Sequence, residues 1–250
     1  MASSLSTVFL ADFGNAVWHA DELAVANGAV VASGHPVLDA QLPGVGWPVG
    51  AISEILQAQS DVHEWRLLLP ALTRLQRAAA AAVVLVGAPH APFGPGLAAQ
   101  GLAVQRLLWI DVRESAARLW AAQQALCCAE VAVVLAWLPQ VRAEQLRRLQ
   151  LAAQAHNKLL FVLRPDQARG ESTPAALRLL LSSPPARAHA TADTLLVHIL
   201  KRRGPPLTYP LALPARHARL SALLALGGQA DQVRHQKEKG DALDCLAAAA

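Results

Sequence analysis

The sequence predicts an α/β fold with a mainly parallel sheet covered by helices, and three observations carry that reading. Short Val- and Leu-rich runs without polar alternation recur at residues 82–86, 131–138, 159–163 and 195–200, the pattern of strands buried on both faces. Segments with apolar residues at helical spacing lie between them, so strand and helix alternate along the chain. Hydrophobic residues make up 54% of the 250 and charged residues only 16%, against the usual quarter or so. A chain of this length and apolarity buries a core without disulfides or metals, and most of it is not intrinsically disordered.

Residues 1–33 read as an N-terminal arm that carries an apolar patch with Phe9 and Phe13, then Trp18, a helix-capable stretch at 19–26 and a β-branched run at 29–32. The core is assigned to residues 34–214. It opens with Pro43, Gly44, Gly46 and Pro48 punctuating a turn, followed by a short strand at 51–56 and a loop at 57–63. Over 64–82, Trp65, Leu68, Leu69, Leu72, Leu75 and Ala79 recur at helical spacing with arginines off that stripe, and Pro70 is expected to bend the helix. The strand at 82–86 leads into a Gly- and Pro-rich loop to residue 101, then come a short strand at 107–110 and a helix at 115–128. Strands at 131–138, 159–163 and 195–200 follow, with a helix at 143–155 between the first two. Residues 215–250 read as a C-terminal Leu/Ala helix and a flexible tail of low complexity.

Several function classes are excluded or disfavoured at this stage. The longest uncharged run, 78–105, is broken by seven glycines and prolines, so no membrane-spanning helix is expected. The first residues lack a basic stretch before their apolar patch, unlike a secretory signal, so the expected location is cytoplasmic. Cys127, Cys128 and Cys245 form no disulfide framework and are read as reduced thiols. The nine histidines show no HxxxH or HxH spacing, so no metal is expected. No GxSxG elbow supports a hydrolase. A net charge of +4 permits nucleic-acid contact without demanding it.

Open α/β sheets place ligands at the carboxyl ends of their strands, so the loop after the first core strand is the place to look for chemistry. A phosphate-binding loop needs glycines to let amides converge, a Lys and a hydroxyl for Mg²⁺. Gln57, Val62, His63 and Glu64 stand there instead. The strand at 131–138 likewise ends in Leu135, Ala136 and Trp137, without the acid that would hold Mg²⁺. No cofactor and no catalytic activity are expected.

The run SGHPVLDAQLPGVGWPVGAISEIL, residues 34–56 with the preceding serine, resembles the entry to the RecA core, and the strand order through residue 210 is similar to that superfamily's. The words LPGVGWP, EWRLLLPAL, AWLP and ILKRRG resemble the ImuA family, a SulA-like branch in which the nucleotide loop is degenerate. The resemblance implies a RecA-like P-loop core whose nucleotide loop has decayed. It also implies a non-catalytic adaptor of SOS-induced translesion DNA synthesis, with an ImuB-type polymerase homologue, RecA and a second polymerase III α-type subunit as partners. A SulA-type division inhibitor that binds FtsZ, and an ATPase or recombinase with a remodelled loop, are the alternatives.

Two basic sets follow from the same alignment of elements. Arg142, Arg147, Arg148, Arg164 and Arg169 correspond to the regions that carry DNA-binding loops in RecA, and are read either as a weak single-stranded DNA surface or as a solvated helix face. Lys201, Arg202 and Arg203 are read either as cations reaching a neighbouring subunit, with Glu64 there as one target, or as a strand-end charge cluster. Phe9, Phe13 and Trp18 of the arm are the candidates for partner contact or homo-oligomer formation. Trp65 and Trp120 are assigned to the core from their helical positions.

Overall fold

A computed structural model describes residues 28–58, 63–184 and 194–214. The arm aromatics Phe9, Phe13 and Trp18, the loop residue Val62 and the C-terminal segment lie outside the described residues.

Strand β1 (Val30–Val31) pairs antiparallel with β2 (Trp47–Pro48), separated by helix α1 (Pro36–Asp39) and a short 3-10 turn at Pro43–Val45. Residues 30–31, read from sequence as part of the arm, are thus laddered to the core. Gly46 allows that closeness, because a Cβ there would sit 2.5 Å from the Val31 carbonyl oxygen.

The main sheet has eight strands: β3 (Ile52–Gln57), β4 (Ala82–Val86), β5 (Leu107–Ile110), β6 (Val131–Trp137), β7 (Leu159–Pro165), β8 (Leu177–Ser182), β9 (Thr194–Lys201) and β10 (Leu211–Pro214). Their spatial order is β10-β9-β8-β3-β7-β6-β4-β5. All pairings from β8 to β5 are parallel, whereas β9 and β10 join antiparallel. The first core strand, β3, therefore lies inside the sheet between β7 and β8, the last two parallel strands along the chain. Among the described residues, no helix is long and apolar enough to cross a membrane.

Helix α2 (Glu64–Ala79) packs Leu67, Leu68, Ala71 and Leu72 on one face, against Ile55, Leu135, Phe161 and Leu179. Trp47 closes that side, its ring edge-on to Phe161 at 5.1 Å. A six-residue helix α3 (Gly94–Ala99) stands inside what reads as loop. Helices α4 (Ser115–Cys127) and α5 (Ala143–Ala155) cover the other face, packing Ala122, Leu126, Leu146, Leu149 and Ala153 against Val84, Val134, Leu160 and Val162. Gln150 of α5 accepts from the Ile52 N–H and donates to the Gly50 carbonyl, so the helix holds the entry to the central strand.

Pro70 lies within α2, which stays continuous to residue 79 and ends where Ala80 turns left-handed. A proline cannot supply the N–H that would close the turn on the carbonyl four residues earlier. His35 reaches the same turn from outside, its ring Nε2 3.2 Å from the Leu67 carbonyl oxygen, next to the Arg66 carbonyl that the proline leaves free. Gly34, at φ +87, carries the chain so close to Pro70 that a Cβ would lie 2.4 Å from the proline ring. The SGHP word thus packs against the helix at its proline.

Three expectations are corrected. The segment between the strands expected at 159–163 and 195–200, which the sequence reads as loop, is a 3-10 turn (Asp166–Gly170) leading into an unforeseen strand, β8. Helices do not cover the whole sheet: α4 and α5 pack on β3 to β7, whereas Leu180, Leu196, His198 and Leu200 of β8 and β9 alternate half-buried with buried neighbours. Trp120, placed in the core by its spacing, is 67% exposed on α4. Its two neighbours Ala121 and Ala122 carry the buried face instead, because small residues let the helix lie close to the sheet.

Candidate functional site

The sheet delivers β3 to a junction where its last residue, Gln57, meets the first turn of α2 and the end of β8. Glu64, the first residue of α2, is fully buried. Its Oε2 accepts from Gln57 Nε2 at 2.9 Å and from the His63 backbone N–H at 3.3 Å. A helix N-terminus presents unpaired N–H groups and a partial positive charge, which is why it suits phosphate. Here the helix's own carboxylate lies against that end.

His63 caps the same helix without a side-chain cap bond and turns its Nε2 to Ser183 Oγ at 3.1 Å, just past β8. Burial lowers the pKa of this imidazole, with the nearby Arg66 cation acting in the same direction. A neutral imidazole beside a serine hydroxyl suggests nucleophile activation, but that chemistry needs an acid on the second ring nitrogen. His63 Nδ1 is buried without a hydrogen-bond partner among the described residues, and Glu64 bonds to the main chain rather than to the ring. The arrangement fastens three elements together instead of forming a relay.

At the end of β6, where a metal-holding acid would stand, Trp137 is buried and its carbonyl accepts from Arg118 Nη1 at 3.1 Å. Arg118 also donates through Nε to the Val112 carbonyl, and its side chain fills the space over Gly87. A cation thus stands where a nucleotide site would want its divalent ion held by a carboxylate. Among the described residues no group of three or more His, Cys, Asp or Glu side chains could hold a metal ion.

The two basic sets separate on inspection. Arg164, read from sequence as a DNA-facing loop residue, is 3% exposed within β7. Its Nη1 lies 3.0 Å from Glu54 Oε1 and its Nη2 2.6 Å from Glu171 Oε2. Arg178 of β8 meets the same Glu54 at 2.9 Å and donates to the carbonyls of Ala168, Arg169 and Glu171. Burying a charge demands partners, so Arg164 is a structural residue and leaves the DNA-binding set. The other four remain on the surface: Arg147 and Arg148 on the outer side of α5, Arg142 at its N-terminus and Arg169 on the 3-10 turn.

Lys201 and Arg202 are likewise engaged within the protomer. Lys201 Nζ donates to the Thr173 carbonyl, and burial together with Arg178 lowers its pKa. Arg202 donates to the Gln41 side chain and to the Pro205 carbonyl. Arg203 borders a small crevice with Val30, Pro43 and Gly44. The idea that these cations reach Glu64 of a neighbouring subunit is corrected, since Glu64 is fully buried. Lys201 and Arg169, from different predicted sets, line one cavity of about 470 Å³ together with Glu171, Ser172, Thr173 and Arg178.

Sequence reasoning missed Glu54, Arg178 and Arg118. The available signal was a charge inside an otherwise apolar strand run, as at SEIL and LRLLL. It missed Phe93 as well, which is 73% exposed after β4, between Pro92 and the Gly94-Pro95-Gly96 run.

No family model matches the chain. Two curated relatives do. The chain is 30% identical over 124 residues to the cell division inhibitor SulA of Edwardsiella piscicida, covering 50% of this chain and 68% of that protein. It is 32% identical over 134 residues to the cell division inhibitor SulA of Photorhabdus laumondii, covering 53% of this chain and 67% of that one. On two thirds of the length of both relatives, the chain belongs to the SulA family.

Proposed function

We propose that this protein is an SOS-linked inhibitor of cell division that acts by binding another protein, FtsZ, through a RecA-like core whose nucleotide loop has lost its function. The observation that carries the non-enzymatic part is the buried Glu64 carboxylate lying against the N-terminal end of α2, where a nucleotide phosphate would need free amides. A buried side chain at that position fills the space a phosphate would need and accepts from the His63 N–H at the start of the helix. Kinship with two proteins named cell division inhibitors supports the target process. The expected result is filamentous growth on overexpression and loss of FtsZ polymer by pelleting when the purified chain is added. Phe93, an exposed aromatic flanked by Pro92, belongs to a residue type enriched at protein interfaces. Phe93→Ala is expected to weaken inhibition at least tenfold without lowering the melting temperature. Normal division and unchanged FtsZ pelleting would sink this reading.

A second reading rests on the words that run through residues 34–210, a longer stretch than the 124 or 134 residues shared with the SulA relatives. On it the chain is an adaptor of translesion synthesis that contacts an ImuB-type polymerase homologue, RecA and a second polymerase III α-type subunit. Capture of the ImuB-type protein by the purified chain, with cell division unaffected, favours that reading over the first.

A further inference from the structure

The two ends of β8 differ in character. Its far end runs into Ser183 and the His63 corner, whereas Arg178 at its start lies roughly 16 Å back along the strand. Around that start, the β7–β8 crossover and the end of β9 enclose the cavity of about 470 Å³ that Arg169, Glu171, Ser172, Thr173, Arg178 and Lys201 line. Leu200 is the one apolar side chain among the described residues on its walls. A space of this size admits a small molecule, and walls this polar select a charged one.

Charge around the cavity is unbalanced. The side chains that line it or pair across it include four cations, Arg164, Arg169, Arg178 and Lys201, and two carboxylates, Glu54 and Glu171. Both carboxylates are already engaged, Glu54 by Arg164 and Arg178, and Glu171 by Arg164. Arg169 is exposed, and its guanidinium has no partner among the described residues. Lys201 Nζ donates to the Thr173 carbonyl at 3.2 Å and pairs with no carboxylate among them. Partial burial and the nearby Arg178 lower the pKa of Lys201, against a smaller opposing effect of Glu54. That is the signature of a cation short of a counter-charge. The surplus is two positive charges, carried by Arg169 and Lys201.

The walls are also fixed in advance. Arg178 donates to the carbonyls of Ala168, Arg169 and Glu171, and Lys201 to that of Thr173, so the main chain that carries Arg169, Ser172 and Thr173 is fastened to β8 and β9. Donors held this way lose little freedom when a ligand arrives.

We propose that this cavity binds a phosphate dianion, carried by a small monoester or free, with Lys201 and Arg169 neutralising its charge and the Ser172 hydroxyl as a third donor. A phosphate monoester carries about −1.5 to −2 charges at pH 7 and three strong acceptor oxygens, which matches two surplus cations and three donors. A carboxylate or a backbone phosphodiester brings only one charge and leaves half the surplus unmet. The site lies at the opposite end of β8 from the filled junction of Gln57, His63 and Glu64, so it is independent of the lost nucleotide loop.

Thermal melts of the full chain test this. Glycerol phosphate is expected to raise the melting temperature by about 3–6 °C at ten times its dissociation constant, relative to glycerol in sodium chloride of equal ionic strength. Lys201→Gln, which keeps a donor for Thr173, and Arg169→Ala are each expected to weaken binding at least tenfold and remove most of that shift. Arg148→Ala takes the same charge from the outer side of α5 and should leave the shift unchanged. Arg169 holds no other described side chain, so its variant reads binding even if Lys201→Gln unsettles the fold. A larger shift with glycerol phosphate than with inorganic phosphate identifies the monoester as ligand, and an equal one the free ion. No shift beyond the glycerol control, a full shift in both variants, or a shift given only by an oligonucleotide without terminal phosphates would overturn the proposal.

Discussion

Glu54 is the residue on which most depends. Its two oxygens meet two arginines within the sheet, and Arg178 in turn collects three carbonyls of the β7–β8 crossover. A buried ion pair broken on one side leaves an uncompensated charge that costs about 3–5 kcal/mol. Glu54→Ala is therefore expected to lower stability by that amount in urea unfolding. Converting Glu54, Arg164 and Arg178 together to leucine should recover much of it, because no buried charge then remains. His35 makes a different prediction. Burial lowers its pKa, against smaller opposing effects from the carbonyls of Leu67 and Arg66 and from Asp39. With the folded value below the unfolded one, the unfolded state takes up more protons as pH falls. Stability should thus be full above about pH 6.5, the ordinary histidine value, and decline below it. His35→Gln keeps a donor for Leu67 and should flatten that decline in melts across pH, leaving the part due to His63, whose pKa is lowered in the same direction.

Among the elements, α5 separates two kinds of arginine. Arg147 and Arg148 project from the face opposite Leu146, Leu149 and Ala153, whereas Arg164 on the adjacent strand is spent on Glu54. If the helix touches single-stranded DNA, each phosphate contact contributes about 0.7 to the slope of log affinity against log salt. Replacing Arg147 and Arg148 with alanine should reduce the slope by roughly 1.4, read by fluorescence anisotropy on oligonucleotides of different sequence. An unchanged slope makes this a solvated helix face. The β7–β8 crossover shows the converse: a mostly polar stretch without an apolar run is held by its own carbonyls, which accept from the buried Arg178 at the start of the strand it leads into, so its composition misrepresents its order.

For the molecule as a whole, the central position of β3 focuses the architecture on a junction that is filled from within. Gln57, His63, Glu64 and Ser183 join the central strand, helix α2 and β8 into one fixed corner. Isothermal titration with Mg·ATP is expected to show no micromolar binding, and the Val62→Gly/His63→Lys double substitution is expected not to create it. Glu64 would still lie against the helix end, and Arg118 would still bind the Trp137 carbonyl. Micromolar affinity in the unaltered chain would overturn the proposed loss of nucleotide function.

The α/β class, six of the strands in the main sheet and the three long helices were legible in the residue order, because apolar runs and helical spacing are local properties that burial on a sheet imposes directly. That Gln57, His63 and Glu64 stand where a phosphate loop would need glycine, lysine and a hydroxyl is likewise a matter of residue order, since those groups must sit at set positions for that chemistry. β8 was not legible: Arg178 breaks its apolar run, and only Glu54 on the next strand makes an arginine acceptable there. Trp120 and Arg164 exchanged their expected environments for the same reason. Whether a side chain is buried depends on which distant residue faces it, and that pairing exists only once the strands are brought side by side.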